Sequence, residues 1–165
     1  MIHEPKINTC KGYIAIALSF AACALLAGSA LAQETERPAR MKDLPQPVQA
    51  TVREQSRGAV VRGLSIETEN GQTFYEASLK VKGRIRDVLI DANGNVVEIE
   101  DQVTLASLPP AARAEIVKQV GKGRILMIES VTKNNAIVAY EAHVKTAGKI
   151  SEIKVDPDGK PLPPE

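Results

Sequence analysis

Residues 75–94 read YEASLKVKGRIRDVLIDANG, and residues 140–159 read YEAHVKTAGKISEIKVDPDG. The two stretches agree at eight of twenty positions, at a constant spacing of 65 residues. Alternation of apolar and polar side chains in both stretches predicts antiparallel strands, with Tyr75 and Tyr140 on the apolar side. Such duplication indicates that one structural unit occurs twice in the chain.

The duplication extends to the segments on the N-terminal side. A Leu-Pro pair at residues 44–45, and again at 108–109, precedes an apolar stripe with helical spacing, which predicts one helix per unit. Runs rich in β-branched residues at 60–68 and 125–132 predict the next strand, but their mixed period assigns no side chain to a face. The sequence therefore predicts an α+β fold of two tandem α-β-β-β units, each a helix packed on a small antiparallel sheet. Residues 96–100 are compatible with a short fourth strand in the first unit only.

The N-terminal 32 residues have the order of a cleaved secretory signal. A short polar stretch with two lysines precedes an apolar run over residues 13–27, and Ala-Leu-Ala at 30–32 supplies a small-residue cleavage motif. We expect cleavage after Ala32, with lipoprotein processing at Cys23 as the alternative, and hence a periplasmic or secreted protein. The apolar run is shorter than the ~20 residues that span a bilayer, so no membrane span is expected after cleavage.

The predicted organisation has four parts. They are a signal peptide over residues 1–32, a flexible lead-in over 33–42, a first repeat over 43–101 and a second repeat over 107–162. The lead-in is polar and contains Pro38, which is typical of a flexible segment. Both cysteines lie in the signal, so the exported chain is expected to have no disulfide and no thiolate site.

Composition argues against several classes of site. The chain carries 21 basic and 20 acidic residues, so it lacks the basic excess that nucleic-acid binding normally needs. His143 is the only histidine after the signal and no nucleophile motif is present, so we expect no catalytic residue, no cofactor and no metal site. We interpret His143 as a solvated sheet residue. The Asp-x-(Asn/Asp)-Gly segments at 91–94 and 156–159 are interpreted as turns rather than calcium loops.

A basic cluster crosses the predicted turn at Gly83. The candidate partner-binding residues are Lys80, Lys82, Arg84 and Arg86. They attract attention because the second unit lacks most of these charges at the matching positions. A functional cluster favours an acidic protein or peptide as partner. The alternative is a solvated strand edge, where lysine prevents unwanted strand pairing. The identity of the partner and the oligomeric state are left open.

The order Leu-Pro, short helix, strand, Tyr-Glu, Lys-x-x-Gly and Asp-x-(Asn/Asp)-Gly resembles the PepSY-like proteins, including the β-lactamase-inhibitor-like group of small periplasmic proteins. The resemblance covers residues 43–100 and 107–160. It implies exported, non-enzymatic domains that bind proteins or peptides, with peptidase inhibition proposed for some relatives. We therefore expect a binding module that acts through its exposed antiparallel sheet. The alternative is a periplasmic sensor or envelope-stress accessory that binds a small ligand between the repeats.

The intact mass of the exported protein tests the predicted signal. Because the Ala-Leu-Ala motif ends at Ala32, we expect a soluble chain that begins at Gln33. A diacylglyceryl-modified chain that begins at Cys23 would contradict this cleavage and establish lipoprotein processing instead.

Overall fold

The computed structural model describes residues 35–69 and 71–163. These residues belong to one compact unit. The predicted signal peptide of residues 1–32 and its cleavage site lie outside the described residues. Within the described ranges, no helix has the length and apolar character needed to cross a bilayer.

Two α-helices and nine strands occur in the described part of the chain. Helix α1 spans Gln46–Gln55, and α2 spans Pro110–Val120. The strands are β1 (Thr35–Pro38), β2 (Val60–Glu69), β3 (Gln72–Val81), β4 (Arg84–Asp91), β5 (Val96–Gln102), β6 (Arg124–Lys133), β7 (Ala136–Thr146), β8 (Lys149–Val155) and β9 (Pro161–Leu162).

The strands form a single nine-stranded sheet, with antiparallel neighbours, in which spatial order follows chain order. This contradicts the predicted α+β fold of two helix-on-sheet units, each with a small sheet of its own. The finding that overturns it is the pairing of β5 with β6, in which Ile99 lies opposite Thr132 and Gln102 opposite Glu129. Without this pairing, β5 and β6 would each expose a row of unpaired backbone amide and carbonyl groups. The sheet is therefore continuous.

Each helix covers one half of the sheet. The core beneath α1 contains Leu44, Val48, Val52, Ala77, Leu79, Val88 and Ile90. The core beneath α2 contains Leu108, Ala112, Ile116, Ile128, Tyr140, Ala142, Val144, Ile153 and Val155. Removal of one such Val, Leu or Ile side chain from water contributes about 1.5–3 kcal/mol, so these two clusters dominate the stability of the fold.

Both helices lie on the same side of the sheet. Val88 of the α1 core is opposite Ile99, and Ile99 is opposite Thr132. Thr132 is separated by four strand positions from Ile128 of the α2 core, and residues at even spacing share a face. Since opposed residues also share a face, the two cores are on one side. We call this side the helix face and the other side the open face.

The predicted faces of β3 and β7 are confirmed. Tyr140 is buried in the α2 core, and Tyr75 packs against the α1 core. Their sequence neighbours Glu76 and Glu141 therefore lie on the open face, because successive residues of a strand point to opposite sides. The alternation in the sequence thus assigns acidic side chains to the face that no helix covers.

Residues 35–38 differ from the predicted flexible lead-in, because they form β1. Thr35 lies opposite Thr68, and Pro38 lies opposite Ser65. The backbone N–H of Ala39 continues the contact by donating to the carbonyl of Leu64 over 2.8 Å. Proline lacks a backbone donor, which suits a position in the outermost strand.

The turns that follow β4 and β8 are built on an aspartate. The Oδ1 atom of Asp91 accepts hydrogen bonds from the backbone N–H groups of Asn93, at 2.8 Å, and Asn95, at 2.9 Å. Asp156 makes the equivalent pair of bonds after β8. These oxygens satisfy the turn backbone, so the interpretation of both segments as turns is confirmed.

Each of these turns presses against the start of a helix. Gly94 has φ +88°, and a Cβ there would lie 2.9 Å from the backbone of Pro47. Gly159 has φ +84°, and a Cβ there would lie 2.7 Å from the carbonyl oxygen of Ala111. In the first turn the hydroxyl of Thr51 also donates to the Gly94 carbonyl over 2.6 Å. Only glycine fits both the backbone angle and the close approach.

We expect Gly94→Ala and Gly159→Ala to lower the free energy of unfolding by more than Gly83→Ala does. Gly83 is a matched control, because it has the same φ of +88° as Gly94 but open space around its Cβ position. The backbone angle alone costs an L-residue roughly 1 kcal/mol or more, and the contact with the helix adds to this cost. Thermal denaturation followed by circular dichroism measures the difference. Equal losses in all three variants would show that the turn-to-helix contact is irrelevant to stability.

Candidate functional site

The four residues of the predicted basic cluster do not form one patch. Lys80 is exposed on the open face of β3, and Lys82 is exposed in the β3–β4 turn, where its φ is +49°. Arg84 and Arg86 are separated by even spacing from the buried Val88, so both belong to the helix face. The predicted surface is thus divided between the two sides of the sheet.

Arg86 is also occupied by an ion pair. Its guanidinium donates to both carboxylate oxygens of Asp101, over 2.7 and 2.8 Å. Asp101 lies directly opposite it on β5. Such a bidentate pair fixes the arginine in the sheet, so it serves β4–β5 packing more directly than it serves a partner.

Acidic side chains dominate the open face instead. In strand order they are Glu36, Glu67, Glu76, Asp87, Glu98, Glu100, Glu129, Glu141 and Glu152. Several are deeply buried although no described helix covers them, with Glu129 only 2% exposed and Glu141 4% exposed. Side chains on neighbouring strands therefore shield one another from solvent.

The closest approach of these groups is at the centre of the sheet. Asp87 and Glu100 lie opposite each other on β4 and β5, and Glu129 on β6 is the diagonal neighbour of Glu100. One carboxylate oxygen from each residue lies within 4.8 Å of the other two. We call these three residues the central carboxylates. They bridge the β5–β6 junction, and they are the main candidate site of the molecule.

His143 holds Glu129 in place. Its Nε2 atom lies 2.9 Å from Oε2 of Glu129, and its side chain is only 16% exposed. The hydrogen bond to Glu129 raises the pKa of His143, whereas burial opposes the increase. The interpretation of His143 as a solvated sheet residue is therefore wrong. The outward position was assigned correctly, but the outward face is crowded with acids.

Burial and repulsion between acids favour the protonated forms of Asp87 and Glu100, two of the central carboxylates. Burial raises the pKa of Glu100 to about 9, and the charges of Glu141 and Glu129 add to the effect. Burial also raises the pKa of Asp87 to about 6, opposed by a hydrogen bond from Ser78. Negative charge at this position is therefore costly unless a cation is near.

Two lysines compensate acids on the flanks of the central carboxylates. The Nζ atom of Lys154 lies 2.6 Å from Oε1 of Glu141, and both side chains are almost fully buried. The Nζ atom of Lys133 lies 2.8 Å from Oε2 of Glu98. These ion pairs show how the open face tolerates buried acids where a basic side chain can reach them.

A second group of acids lies near the β1 edge of the sheet. Glu36, Glu67 and Glu76 each place a carboxylate oxygen within 4.8 Å of the others. Here the hydroxyl of Ser65 lies 3.3 Å from Glu67 and 3.5 Å from Glu76. Burial raises the pKa of Glu76, and its hydrogen bond with Glu67 contributes further. Glu67 and Glu76 thus share the hydroxyl of Ser65, and Glu36 at the rim of the group is exposed.

Sequence reasoning missed the central carboxylates for an identifiable reason. Glu129 belongs to the run at 125–132, whose period assigned no face. The register shift between Ile125 and Met127, where Leu126 is the extra residue, interrupts the alternation at the start of that run. The one available signal was the pair of outward residues Glu141 and His143 on the next strand.

Comparison with known proteins gives the fold. No family model and no curated protein matches the chain. The structure of a Bacteroides eggerthii protein assigned to the periplasm matches with a TM-score of 0.59 and 17% identity, over 73% of this chain and 86% of that one. A DUF2874 family protein from Bacteroides ovatus matches with a TM-score of 0.56 and 18% identity, over 73% and 85%. A BLIP-like protein from Bacteroides fragilis matches with a TM-score of 0.51 and 20% identity, over 72% and 83%.

These likenesses are structural and not sequence-based. The chain has the fold of BLIP-like and DUF2874 family proteins. The PepSY-like resemblance and the tandem repeat stay predictions. Fold alone carries little information about the partner, which has to be argued from the open face.

We expect the melting temperature to fall as the pH rises from about 5 to about 9. In the folded protein Glu100 keeps its proton until about pH 9, whereas in the unfolded chain it ionises near its ordinary pKa of 4.5. The stability that the protonated form of Glu100 contributes is therefore fully present below the pKa of this group in the unfolded chain. It is lost as the pH rises to the pKa of the group in the folded protein. Asp87 and His143, whose pKa values are also raised, act in the same direction.

Glu100→Gln should flatten this dependence, because glutamine has the shape of the protonated acid and does not ionise. Glu54→Gln, at an exposed position of α1, is the control and should keep the wild-type profile. Each titrating group changes the free energy of unfolding by at most about 1.4 kcal/mol per pH unit. Parallel profiles for wild type and Glu100→Gln would contradict the assignment.

Proposed function

We propose that this protein is an exported, non-enzymatic binding module that engages a partner protein or peptide through the open face of its sheet. The predicted signal and the periplasmic assignment of a protein with the same fold support an exported location. The BLIP-like name of another protein with this fold supports an inhibitor-like form of binding, by analogy of fold only. The proposal assigns no catalytic residue.

One observation carries the proposal. The open face concentrates carboxylates from eight adjacent strands, β1 to β8, and neither described helix covers it. Concentrated charge of one sign attracts ligands of the other sign and speeds their association. We infer that the segment of the partner that docks here carries lysine or arginine. An acidic partner for Lys80, Lys82 and Arg84 stays a separate prediction, now without Arg86.

A second function, a periplasmic sensor that binds a small ligand between the two halves, is favoured by a different observation. The central carboxylates come from both sides of the β5–β6 junction, with Asp87 and Glu100 on one side and Glu129 on the other. A small cation bound there would bridge the halves. A ligand at this position would act on the stability of the whole sheet.

Site-specific photocrosslinking in cells tests the partner proposal. Lys80 on β3 and Lys145 on β7 are exposed positions of the open face, so a photoreactive residue at either one should report contacts without disturbing the core. We expect covalent adducts from both positions, and we expect mass spectrometry to map them to a lysine- or arginine-rich segment. The yield should fall with added salt, since screening weakens attraction beyond about 10 Å at roughly 0.1 M.

The matched controls place the same photoreactive residue on the helices, at Glu54 of α1 and Val117 of α2, both exposed. These positions should give no specific adduct. Adducts from the helix positions and none from the sheet positions would overturn the proposed binding face. Adducts that map to an acidic segment would overturn the proposed charge of the partner.

A further inference from the structure

We propose that Asp87, Glu100 and Glu129 form a binding site for a calcium ion at the centre of the open face. The three residues are supplied by three adjacent strands, and one oxygen of each lies within 4.8 Å of the others. Strand pairing fixes their relative positions, so the group is held by the sheet rather than by a flexible loop. This inference rests on the second candidate function, the sensor that binds a small ligand between the two halves, and it names that ligand.

The environment of Glu129 supports a bound cation independently of the clustering of acids. Its side chain is 2% exposed, and its Oε1 atom is buried without a hydrogen-bond partner. Its other oxygen is held by Nε2 of His143 at 2.9 Å. Burial of an unsatisfied carboxylate oxygen is expensive, and it signals that a group is missing from its surroundings. The Oδ1 atom of Asp87 is buried without a hydrogen-bond partner as well.

The contact with His143 is the kind of support that metal-binding carboxylates have. A ligand oxygen is positioned best when the other oxygen of the same carboxylate is held by a neighbouring donor. His143 thereby restrains the side chain of Glu129 before any ion binds. We describe His143 as a positioning residue, because it acts through Glu129 and supplies no oxygen of its own.

The donor set selects the class of ion. All three side chains offer hard carboxylate oxygens, and none of them offers a nitrogen or sulfur donor. Such a set favours calcium, magnesium or manganese over zinc or copper. Water molecules would complete the six to eight ligands that calcium takes.

Coordination preferences then favour calcium over magnesium. Calcium–oxygen distances of about 2.3–2.6 Å allow two ligand oxygens to be as much as about 5.2 Å apart. The limit of 4.8 Å for the central carboxylates falls inside that range. Magnesium keeps several of its water ligands and is usually bound through only one or two carboxylates, so a group of three carboxylates suits calcium better.

Two other acidic features do not meet the same standard. In the group of Glu36, Glu67 and Glu76, the hydroxyl of Ser65 already reaches two of the carboxylates. In the turns, the Oδ1 atoms of Asp91 and Asp156 already accept hydrogen bonds from backbone N–H groups. The central carboxylates are therefore the group that we assign to the ion.

Isothermal titration calorimetry of the purified exported chain, treated first with EDTA, tests the site with calcium chloride and then with magnesium chloride. We expect saturable calcium binding with a dissociation constant of roughly 10⁻⁴–10⁻³ M, which is typical of extracellular calcium-binding modules. Glu100→Gln should weaken calcium binding at least about tenfold. This variant is expected to fold, because glutamine has nearly the shape and volume of glutamate and places no charge on the buried part of the open face.

The matched control is Glu67→Gln, which neutralises an acid of the same face outside the central carboxylates and should change calcium affinity far less than Glu100→Gln does, because Glu67 affects Asp87 only through its charge. Calcium should also raise the melting temperature of wild type and Glu67→Gln by several degrees, and it should not raise that of Glu100→Gln. The second measurement shows whether a loss of binding reflects loss of the site rather than loss of the fold.

Three results would overturn the inference. One is the absence of saturable calcium binding up to about 10 mM, beyond the range of extracellular calcium modules. Another is a loss of affinity in Glu67→Gln together with full affinity in Glu100→Gln, which would move the site to the β1 edge. The last is equal affinity for magnesium and calcium, with both affinities lost in Glu100→Gln. This result would contradict the assignment of calcium, but it would still support a sensor that binds a small cation. None of these results bears on the partner face tested through Lys80 and Lys145.

Discussion

The pairing of β5 with β6 joins the two halves of the molecule. It connects a core built under α1 with a core built under α2, and it does so through four opposed residue pairs from Ile99–Thr132 to Gln102–Glu129. The same register brings Glu129 beside Glu100. Because side chains on one face of neighbouring strands lie a few ångströms apart, a shift of one residue would send Glu129 to the helix face. The continuous sheet and the central carboxylates therefore depend on a single strand pairing.

That register is costly as well as specific. A row of acids buried on one side of a sheet opposes folding, and only part of it is compensated by Lys133 and Lys154. Apolar residues in place of Asp87, Glu100 and Glu129 would allow the same sheet to form at a lower cost in free energy, since they carry no charge that has to be desolvated. Features that weaken a fold in this way are common where a ligand is bound. The crowded acids are thus better explained by binding than by architecture.

Local sequence patterns predict the local structure well and the assembly poorly. Alternation in β3 and β7 placed Tyr75 and Tyr140 correctly, and the turn residues after β4 and β8 follow from backbone chemistry that acts over four residues. The joining of the two halves into one sheet could not be predicted, because the sequence of an edge strand does not specify which other strand it will pair with. The face of Glu129 was hidden for a different reason, since a bulge near the start of β6 breaks the period from which faces are assigned. His143 was placed on the correct face, but its burial depends on neighbours that only the assembled sheet brings together.

The strict agreement between spatial order and chain order affects how the protein reaches its native state. Every strand pairs with the strands that precede and follow it in the chain, so most cross-strand contacts close short loops. Short loops cost little chain entropy, and proteins dominated by local contacts fold faster than β-proteins whose strands pair across long separations. A chain that is released end first, as during synthesis, can therefore begin to build its sheet before its last strands arrive. The same order leaves the two ends of the described chain at opposite edges of the sheet, each closed by a short strand that contains proline, where an added strand would find few free donors.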